Sequence, residues 1–407
     1  MANSFQNVTS GLAELKNYYQ GPIIDLLSEN IPVYRAAEKV KQGWSGYQVV
    51  RPLRTVRNPG IGATSDGGTL PQVGRQTTVQ ALILAKYNYL RFGVTGPMIK
   101  ASQSDIGSFV RSAAYELEQG YNDLKADINR QLNWDGTGTV ALVNTASSAS
   151  TSLVVKGRSA NEPALKYIDV GTVFDTVVSG AVVASGITVV AIASGDANST
   201  TATLTLDQAI TTTTSTSLIR TNSLGQEMQG LFYALDGATT TIYNVDRSKS
   251  IGYQGNVTDN SAAALSIDAM QTPFNEGLRR GNVGKYNAVF TDFTTLRYYQ
   301  KLLTADKRYN NTLEGDGSFG SKGQFYLDFN GISVVPDKDM PSKIAMLPAE
   351  VLKLYVLAEM EFADETGSMY IAQSEQDELE VRLRFFANLF NEQPGACAVL
   401  TNYTSPA

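Results

Sequence analysis

The chain has 407 residues, 43% hydrophobic and 18% charged, with a net charge of −6, enough for two or three domains with packed cores. It has no histidine and one cysteine, Cys397. That excludes Ser/His/Asp and Cys/His catalysis, intrachain disulfides, and Cys-based zinc or iron–sulfur centres.

The N-terminus, MANSFQNVTSGLAELK, has no basic segment followed by an apolar run, so it is not a signal peptide. Residues 1–50 read as an arm. Gly11–Tyr19 and Pro22–Leu27 can form helices too short to stand alone. Ile31–Val50 mixes apolar, basic and aromatic residues with little period and is expected to be held by packing against something else.

Residues 51–95 read as a long hairpin. Tyr47–Val56 leads out as a strand. Asn58–Gly74 is a turn-rich tip holding Pro59, Gly60, Gly62, Gly67, Gly68 and Pro71. Thr77–Val94 returns as one strand, with Val79, Ala81, Ile83, Ala85, Tyr87 and Tyr89 on one face and Leu82, Leu84 and Leu90 on the other. A hairpin apolar on both faces is barely stable alone, so it should lie against another surface. An ordinary hairpin within one domain is the alternative.

Ser104–Trp134 reads as an amphipathic helix. Ile106, Phe109, Val110, Ala113, Leu117, Tyr121, Leu124, Ile128 and Leu132 recur at steps of three and four. Ser104 or Asp105 can cap it, and Gly136 and Gly138 stop it. About thirty residues at ~1.5 Å each make a rod of roughly 45 Å, well beyond the ordinary helix.

Residues 140–230 are poor in charge and rich in Ser, Thr, Val, Ala and Gly. Leu153–Lys156, Lys166–Val170, Asp175–Val178, Ile187–Ala193, Thr201–Leu206 and Ser217–Arg220 are candidate strands, and many short strands at close spacing suggest an inserted small β-barrel or sandwich. The run TTTTSTS reads as an exposed loop. Val170–Ser194 is long and apolar enough to span a membrane. Asp175, Gly180 and Gly186 interrupt it, and its Val, Ile and Thr favour strands.

Beyond residue 231 the pattern is βαβ-like. Ser261 can cap a helix to Arg279, Ala288–Thr291 is a buried strand, and Asp292 can cap a helix to Leu303. Ile332–Val335 and Ile344–Leu347 are further strands, and Thr304–Gly323 is a flexible loop. This alternation predicts an α/β unit round a central sheet. Met369–Gln373, Glu378–Asn388 and Ala396–Thr401 are strands that need partners from earlier in the chain, plausibly beside the long helix.

Charge is unevenly spread. Residues 31–100 hold Arg35, Lys39, Lys41, Arg51, Arg54, Arg57, Arg75, Lys86, Arg91 and Lys100 against only Glu38 and Asp66. Glu359 to Val381 holds Glu359, Glu361, Asp364, Glu365, Glu375, Asp377, Glu378 and Glu380 with no base. Opposite fields suit docking of one part onto another, within a molecule or between copies. A nucleic-acid arm is the weaker reading, because the total is acidic and no tight basic cluster exists.

No motif points to chemistry, although the letters alone leave paired-carboxylate chemistry open. Gly315-Asp-Gly317-Ser-Phe-Gly320 matches a dinucleotide fingerprint by letter but lacks the strand before and the helix after. Ser321-Lys322 is not a P-loop. The acids of 359–380 do not have the spacing of a calcium loop. Asp135 reads as a turn former, and Cys397 as a small buried apolar residue.

In this order the parts resemble a major capsid protein of a tailed bacteriophage. The local features that carry the resemblance are the tip Gly67, Gly68, Leu70, Pro71 and the helix ending in Asn133-Trp-Asp-Gly-Thr-Gly138. The resemblance implies an α+β shell fold: N-terminal arm (1–50), E-loop (51–95), P-domain with spine helix (96–139), A-domain (231–355) and C-terminal P-domain strands (356–407). The β domain at 140–230 departs from the minimal pattern and leans outward. The implied function is that of a non-enzymatic shell subunit, without cofactor or metal, forming hexamers and pentamers round double-stranded DNA. The implied partners are copies of itself, portal and scaffolding proteins, a possible decoration protein and packaged DNA, with no membrane. The implied location is the virion capsid, assembled in the host cytoplasm. Scaffolding is expected to be a separate protein.

Inter-subunit contacts are expected at Arg51, Arg54, Arg57, Arg75, Lys86, Arg91, Gly67, Gly68, Glu359, Glu361, Asp364 and Glu365. A lysine–asparagine crosslink known in some members is not carried over, because Lys86, the only E-loop lysine, lies far from the tip. An encapsulin-type nanocompartment shell and a β-rich tail or adhesin protein are the alternatives.

Overall fold

The computed structural model describes residues 32–406 except 42, 43, 45, 96–119, 197, 237–239, 282–284, 305–326, 349, 364–369 and 373–377. The two short helices expected in the arm, the first half of the long helix and nearly all of the loop at 304–323 lie outside the described residues. The first described elements are α1 (Pro32–Ala36), β1 (Glu38–Val40), β2 (Gln48–Val56), β3 (Thr77–Leu84) and β4 (Lys86–Thr95), then helix α2 over residues 120–132.

The expected return strand is two strands. β3 pairs antiparallel with β2, from Gln48 opposite Leu84 to Val56 opposite Thr77. After Ala85 the chain leaves this partner, and β4 pairs with a strand from the far end of the sequence. The break also shifts the alternation of faces. Ala81, Ile83 and Ala85 point inward, but beyond the break Asn88 is buried while Tyr87 and Tyr89 are exposed. A one-residue change in register moves every following side chain to the other face.

α2 buries the predicted stripe: Leu124, Ile128 and Leu132 are all inside. The helix stops at 132, and Gly136 and Gly138 follow with φ of 77° and 84°. In this left-handed region only glycine is unstrained.

The next six strands close a barrel: β5 (Thr139–Val143), β6 (Ser147–Lys156), β7 (Val173–Val178), β8 (Ala181–Ser194), β9 (Thr201–Thr212) and β10 (Ser217–Arg220), in the order β10-β5-β6-β9-β8-β7. The apolar run at 170–194 thus supplies β7 and β8, and no described helix is long and apolar enough to cross a membrane. Lys166–Val170, expected as a strand, is a turn region. The threonine run is a tight turn rather than a wholly exposed loop, with Thr212 and Thr216 buried. Val140, Leu153, Val155, Phe174, Ile187, Val189, Leu204 and Leu218 fill the interior.

The chain continues through α3 (Leu231–Leu235), the small pair β11 (Thr241–Ile242) and β12 (Val245–Asp246), and β13 (Val257–Asp259). Helix α4 (Ile267–Arg280) starts later than expected. Ser266, not Ser261, caps it by accepting from the Ala269 amide at 3.1 Å, and Ser261 sits at φ 52° in the preceding turn. β14 (Tyr286–Thr291) leads to α5 (Phe293–Thr304), whose first turn is capped by Asp292 as expected. β15 (Leu327–Phe329), β16 (Ile332–Pro336) and β17 (Ile344–Pro348) follow, then β18 (Leu352–Phe362), β19 (Tyr370–Ala372), β20 (Glu378–Asn391) and β21 (Ala398–Thr401).

Two sheets organise these strands. One has β1-β18-β20-β19 with β4 on β20; the other is β13-β21-β17-β14-β16-β15. The last strand therefore crosses into the second sheet rather than joining its sequence neighbours β18 and β20. Leu124, Ile128 and Leu132 of α2 share a core with Leu383, Phe385, Ala387, Leu389 and Val399. The long helix packs on the C-terminal strands, as its stripe predicts.

Candidate assembly surfaces

The root of the hairpin is seated on its own chain. Ala81 and Ile83 pack with Ile242, Tyr243, Val245, Tyr355 and Phe390, and the Leu82 amide donates to the Tyr243 carbonyl at 2.9 Å. Residues 57–76 carry no regular structure and are almost entirely exposed. At the tip Ile61 is 84% exposed, Leu70 76% and Val73 103%. Three large aliphatic side chains in water forgo roughly 1.5–3 kcal/mol each of burial. Gly67 turns the tip at φ 73°. A Cβ on Gly68 would lie 2.3 Å from Thr64 Oγ1, and the Gly68 amide closes the turn on the Ser65 carbonyl at 2.9 Å.

The basic residues divide into two groups. Arg51 pairs with Glu392 at 2.6 Å, Lys41 with Glu359, and Arg91 bidentately with Glu380 at 2.5 and 3.1 Å. Arg382 also reaches Glu380 at 2.7 Å, and the two guanidinium groups hold that carboxyl at a pKa of about 2. Lys86 donates to the Gly225 carbonyl at 2.6 Å, and burial lowers its pKa. Three bases of this segment, Lys41, Arg51 and Arg91, thus meet acids of the same chain. Arg54, Arg57 and Arg75 are exposed and make no ion pair among the described residues. Glu361 pairs with Arg384 at 2.9 Å. Asp364, Glu365 and the glycine motif at 315–320 lie outside the described residues.

The groups that might have carried chemistry have structural surroundings. Asp135 accepts from the Thr137 amide at 3.0 Å and forms a turn. Cys397 is fully buried, and burial pushes its thiol up to about 12. Among the described residues no cluster of Asp, Glu and Cys could hold a metal.

A buried polar junction that no sequence spacing announces joins helix, barrel and second sheet. Asn129 donates to Asp337 at 2.9 Å and to Asp339 at 2.6 Å, and Asn133 donates to Asp337 at 3.0 Å. On the barrel side Tyr167 donates to Asp339 at 2.8 Å and Lys166 lies 3.4 Å from it. Arg158, fully buried, grips Glu162 and lies over the rings of Trp134 and Tyr167 at 4.3 and 4.5 Å. A second buried cluster sits alongside. Arg130 bonds Asp127 at 2.8 Å and Glu227 at 2.5 Å, and Arg220 from the barrel reaches Asp127 at 2.7 Å. Burial opposes ionisation of Asp127, but Arg130 and Arg220 outweigh it and keep the carboxyl below its usual range. The only sequence signal for these contacts is the set of polar residues, Asn129, Arg130 and Asn133, beside the stripe of α2.

No protein-family model matches this sequence. No curated protein matches it either. Solved structures do. A chain of the cyanophage A-1(L) capsid asymmetric unit matches with a TM-score of 0.56 at 14% identity, over 92% of this chain and 93% of that one. A chain from the capsid of the empty GTA particle matches with a TM-score of 0.50 at 10% identity, over 98% and 100%. The architecture is the phage capsid-shell fold, and the match runs nearly end to end.

Proposed function

We propose that this chain is the shell subunit of a tailed-phage head. It self-associates into hexameric and pentameric capsomers that close an icosahedral shell round double-stranded DNA. The fold supports this reading, and one observation carries it. The hairpin has a root packed on its own subunit and a tip that exposes Ile61, Leu70 and Val73. Such a tip is suited to cover by another copy.

In this reading residues 1–50 are the arm, 51–95 the E-loop and 96–139 the P-domain with its spine. Residues 231–355 form the A-domain and 356–407 the C-terminal P-domain strands, of which the last, β21, joins the A-domain sheet. The barrel at 140–230 projects outward. Arg54, Arg57 and Arg75 meet acidic surface on the next subunit, with Asp364 and Glu365 as candidates. Portal and scaffolding proteins, a decoration protein and non-specifically bound DNA are the other partners, and assembly takes place in the host cytoplasm. The role is structural, with no catalysis.

Negative-stain microscopy of the purified chain tests this: closed icosahedral particles or hexameric rings are expected. Particles from infected cells should protect DNA from nuclease, whereas a nanocompartment shell would not. Filaments, or monomers at every salt and protein concentration, would overturn the reading.

A further inference from the structure

We propose that the barrel is a hinged module, latched to the body through Asp339 and able to swing about its two connecting necks.

Four observations converge. First, the apolar core of the barrel is distinct from the core formed by α2 and the first sheet. Apolar cores set rigid packing, and among the described residues none is continuous across this seam.

Second, the chain enters and leaves the barrel through necks that lie side by side. Gly136 and Gly138 are in the entering neck, and Asn222 and Gly225, at φ 63° and 65°, in the leaving one. A Cβ on Gly138 would stand 3.2 Å from the Ser223 carbonyl and one on Gly136 3.1 Å from the Met228 carbonyl. Short element-terminal segments of this kind absorb the backbone rotation of a hinge.

Third, the contacts that hold the barrel among the described residues are polar or cationic. Arg158 lies over the Trp134 ring and donates to the Asp339 carbonyl at 3.5 Å, and Lys166 donates to the Lys338 carbonyl. Tyr167 and Lys166 meet Asp339, the Ser342 amide donates to Ser159 Oγ at 3.3 Å, and Arg220 meets Asp127. Arg158 Nη1, buried in the junction, has no hydrogen-bond partner. Polar contacts can be exchanged for water on opening at small net cost, unlike an apolar interface.

Fourth, the seam is not filled. A cleft of about 530 Å³, open to solvent, lies between Thr172, Val173 and Thr221 of the barrel side and Tyr87, Tyr89 and Gln131 of the body, with the Arg220–Asp127 pair in its wall. The latch at Asp339 holds one part of the seam and the cleft leaves room in another.

Asp339 is the hub of the latch. It accepts from Asn129 of α2 and from Tyr167 of the barrel, so its loop ties both to the second sheet. The side chain of neighbouring Asp337 accepts from Asn129 of α2, from Asn133 just beyond it and from the Asp339 amide, none of them in the barrel. Loss of the barrel-side bonds therefore leaves the helix-to-sheet contact in place.

The test is a distance measurement by pulsed electron paramagnetic resonance on the full chain. Spin labels are placed by Val190→Cys on the barrel and Leu357→Cys on the first sheet, both exposed. Doubly labelled chain is diluted into unlabelled chain so that only intramolecular distances are read. Cys397 is buried and stays unlabelled. The otherwise unchanged chain should give one narrow distance distribution. Asp339→Ala, or Tyr167→Phe combined with Lys166→Met, should broaden and shift it. Amide exchange is measured in parallel on β8 and β9, whose protection should persist. An unchanged distribution in both variants would overturn the proposal. So would loss of barrel protection together with the distance change, because the barrel would then depend on the latch for its own fold.

Discussion

Asn388 Nδ2 donates to the carbonyl oxygen of Leu84 at 2.8 Å, just before the point where the hairpin's return strand changes partners. The same side chain also donates to Gln229 Oε1 at 2.9 Å and accepts from the Gln229 amide at 2.9 Å. Asn388 is fully buried. A side chain from the first sheet thus supplies a bond where the return strand leaves β2. Replacing it by leucine leaves the Leu84 carbonyl and the Gln229 groups without that partner. Each such loss costs about 1–3 kcal/mol. Asn388→Leu should lower the thermal midpoint of the unassembled chain by several degrees, read by circular dichroism, and an unchanged midpoint would refute the assignment.

The arginines of the hairpin separate into two experiments. Arg54→Glu, Arg57→Glu and Arg75→Glu reverse exposed charges that pair with nothing among the described residues. They should impair assembly, most at low salt, while leaving the midpoint of the free chain within ~0.5 kcal/mol of its original stability. Arg51→Glu faces Glu392 at 2.6 Å and should reduce both. Sedimentation of assembly reactions at two salt concentrations, with thermal melts of the same preparations, distinguishes the groups. Normal assembly by the first three at both salts would remove the electrostatic part of the proposed contact.

Replacing Ile61, Leu70 and Val73 together by serine tests the apolar part. These side chains touch water in the free chain, so folding should be unaffected. Particle yield should fall at least tenfold if each contributes even 1 kcal/mol to contacts repeated around a shell. Full yield by this variant would show that the tip is not an interface.

What could be read before the structure, and what could not, follows from the range of each interaction. The stripe of α2, the strands of the barrel and the Asp292 cap are set by neighbours within a few positions, and periodicity and cap chemistry reveal them. The break at Ala85 goes with the pairing of β4 to β20, about three hundred positions away, and an alternating run of apolar residues looks the same on either side of it. The destination of β21 is equally non-local, since Ala398–Thr401 could complete either sheet. Charge totals marked residues 31–100 and 359–380 as complementary, yet could not say that Arg91 meets Glu380 within one chain while Arg54 and Arg57 stay unpaired. Arg158, Tyr167 and Asp339 lie too far apart in sequence for any spacing rule to join them.

Glu380 gives a prediction in pH. Its carboxyl titrates near 4.5 when free and near 2 in the folded chain, held down by its hydrogen bonds to Arg382 and Arg91. A folded pKa below the unfolded one contributes stability that is complete above about pH 4.5 and is lost as pH falls toward 2. The midpoint of Glu380→Gln should therefore differ from that of the original chain most at neutral pH, and the two curves should converge over that acidic window. Parallel curves from pH 7 to pH 2 would show that the carboxylate does not stabilise β4 against β20.

Arg130 offers the sharpest energetic contrast, because its guanidinium is wholly buried between Asp127 and Glu227. Burial disfavours its charge, and the two carboxylates outweigh that cost, raising its pKa. Arg130→Met removes the compensation and leaves Glu227 buried with its other oxygen already unpartnered. Breaking a buried pair in this way costs about 3–5 kcal/mol. Replacing Arg130 and Glu227 together with methionine removes both the charge and its orphaned partner, while Asp127 keeps Arg220 at 2.7 Å. Exchange of a buried pair for apolar side chains of similar volume is often neutral or stabilising. The double variant should therefore recover most of the loss in denaturant titrations. A double variant as unstable as the single one would mean that the pair orients α2 in a way that packing alone cannot replace.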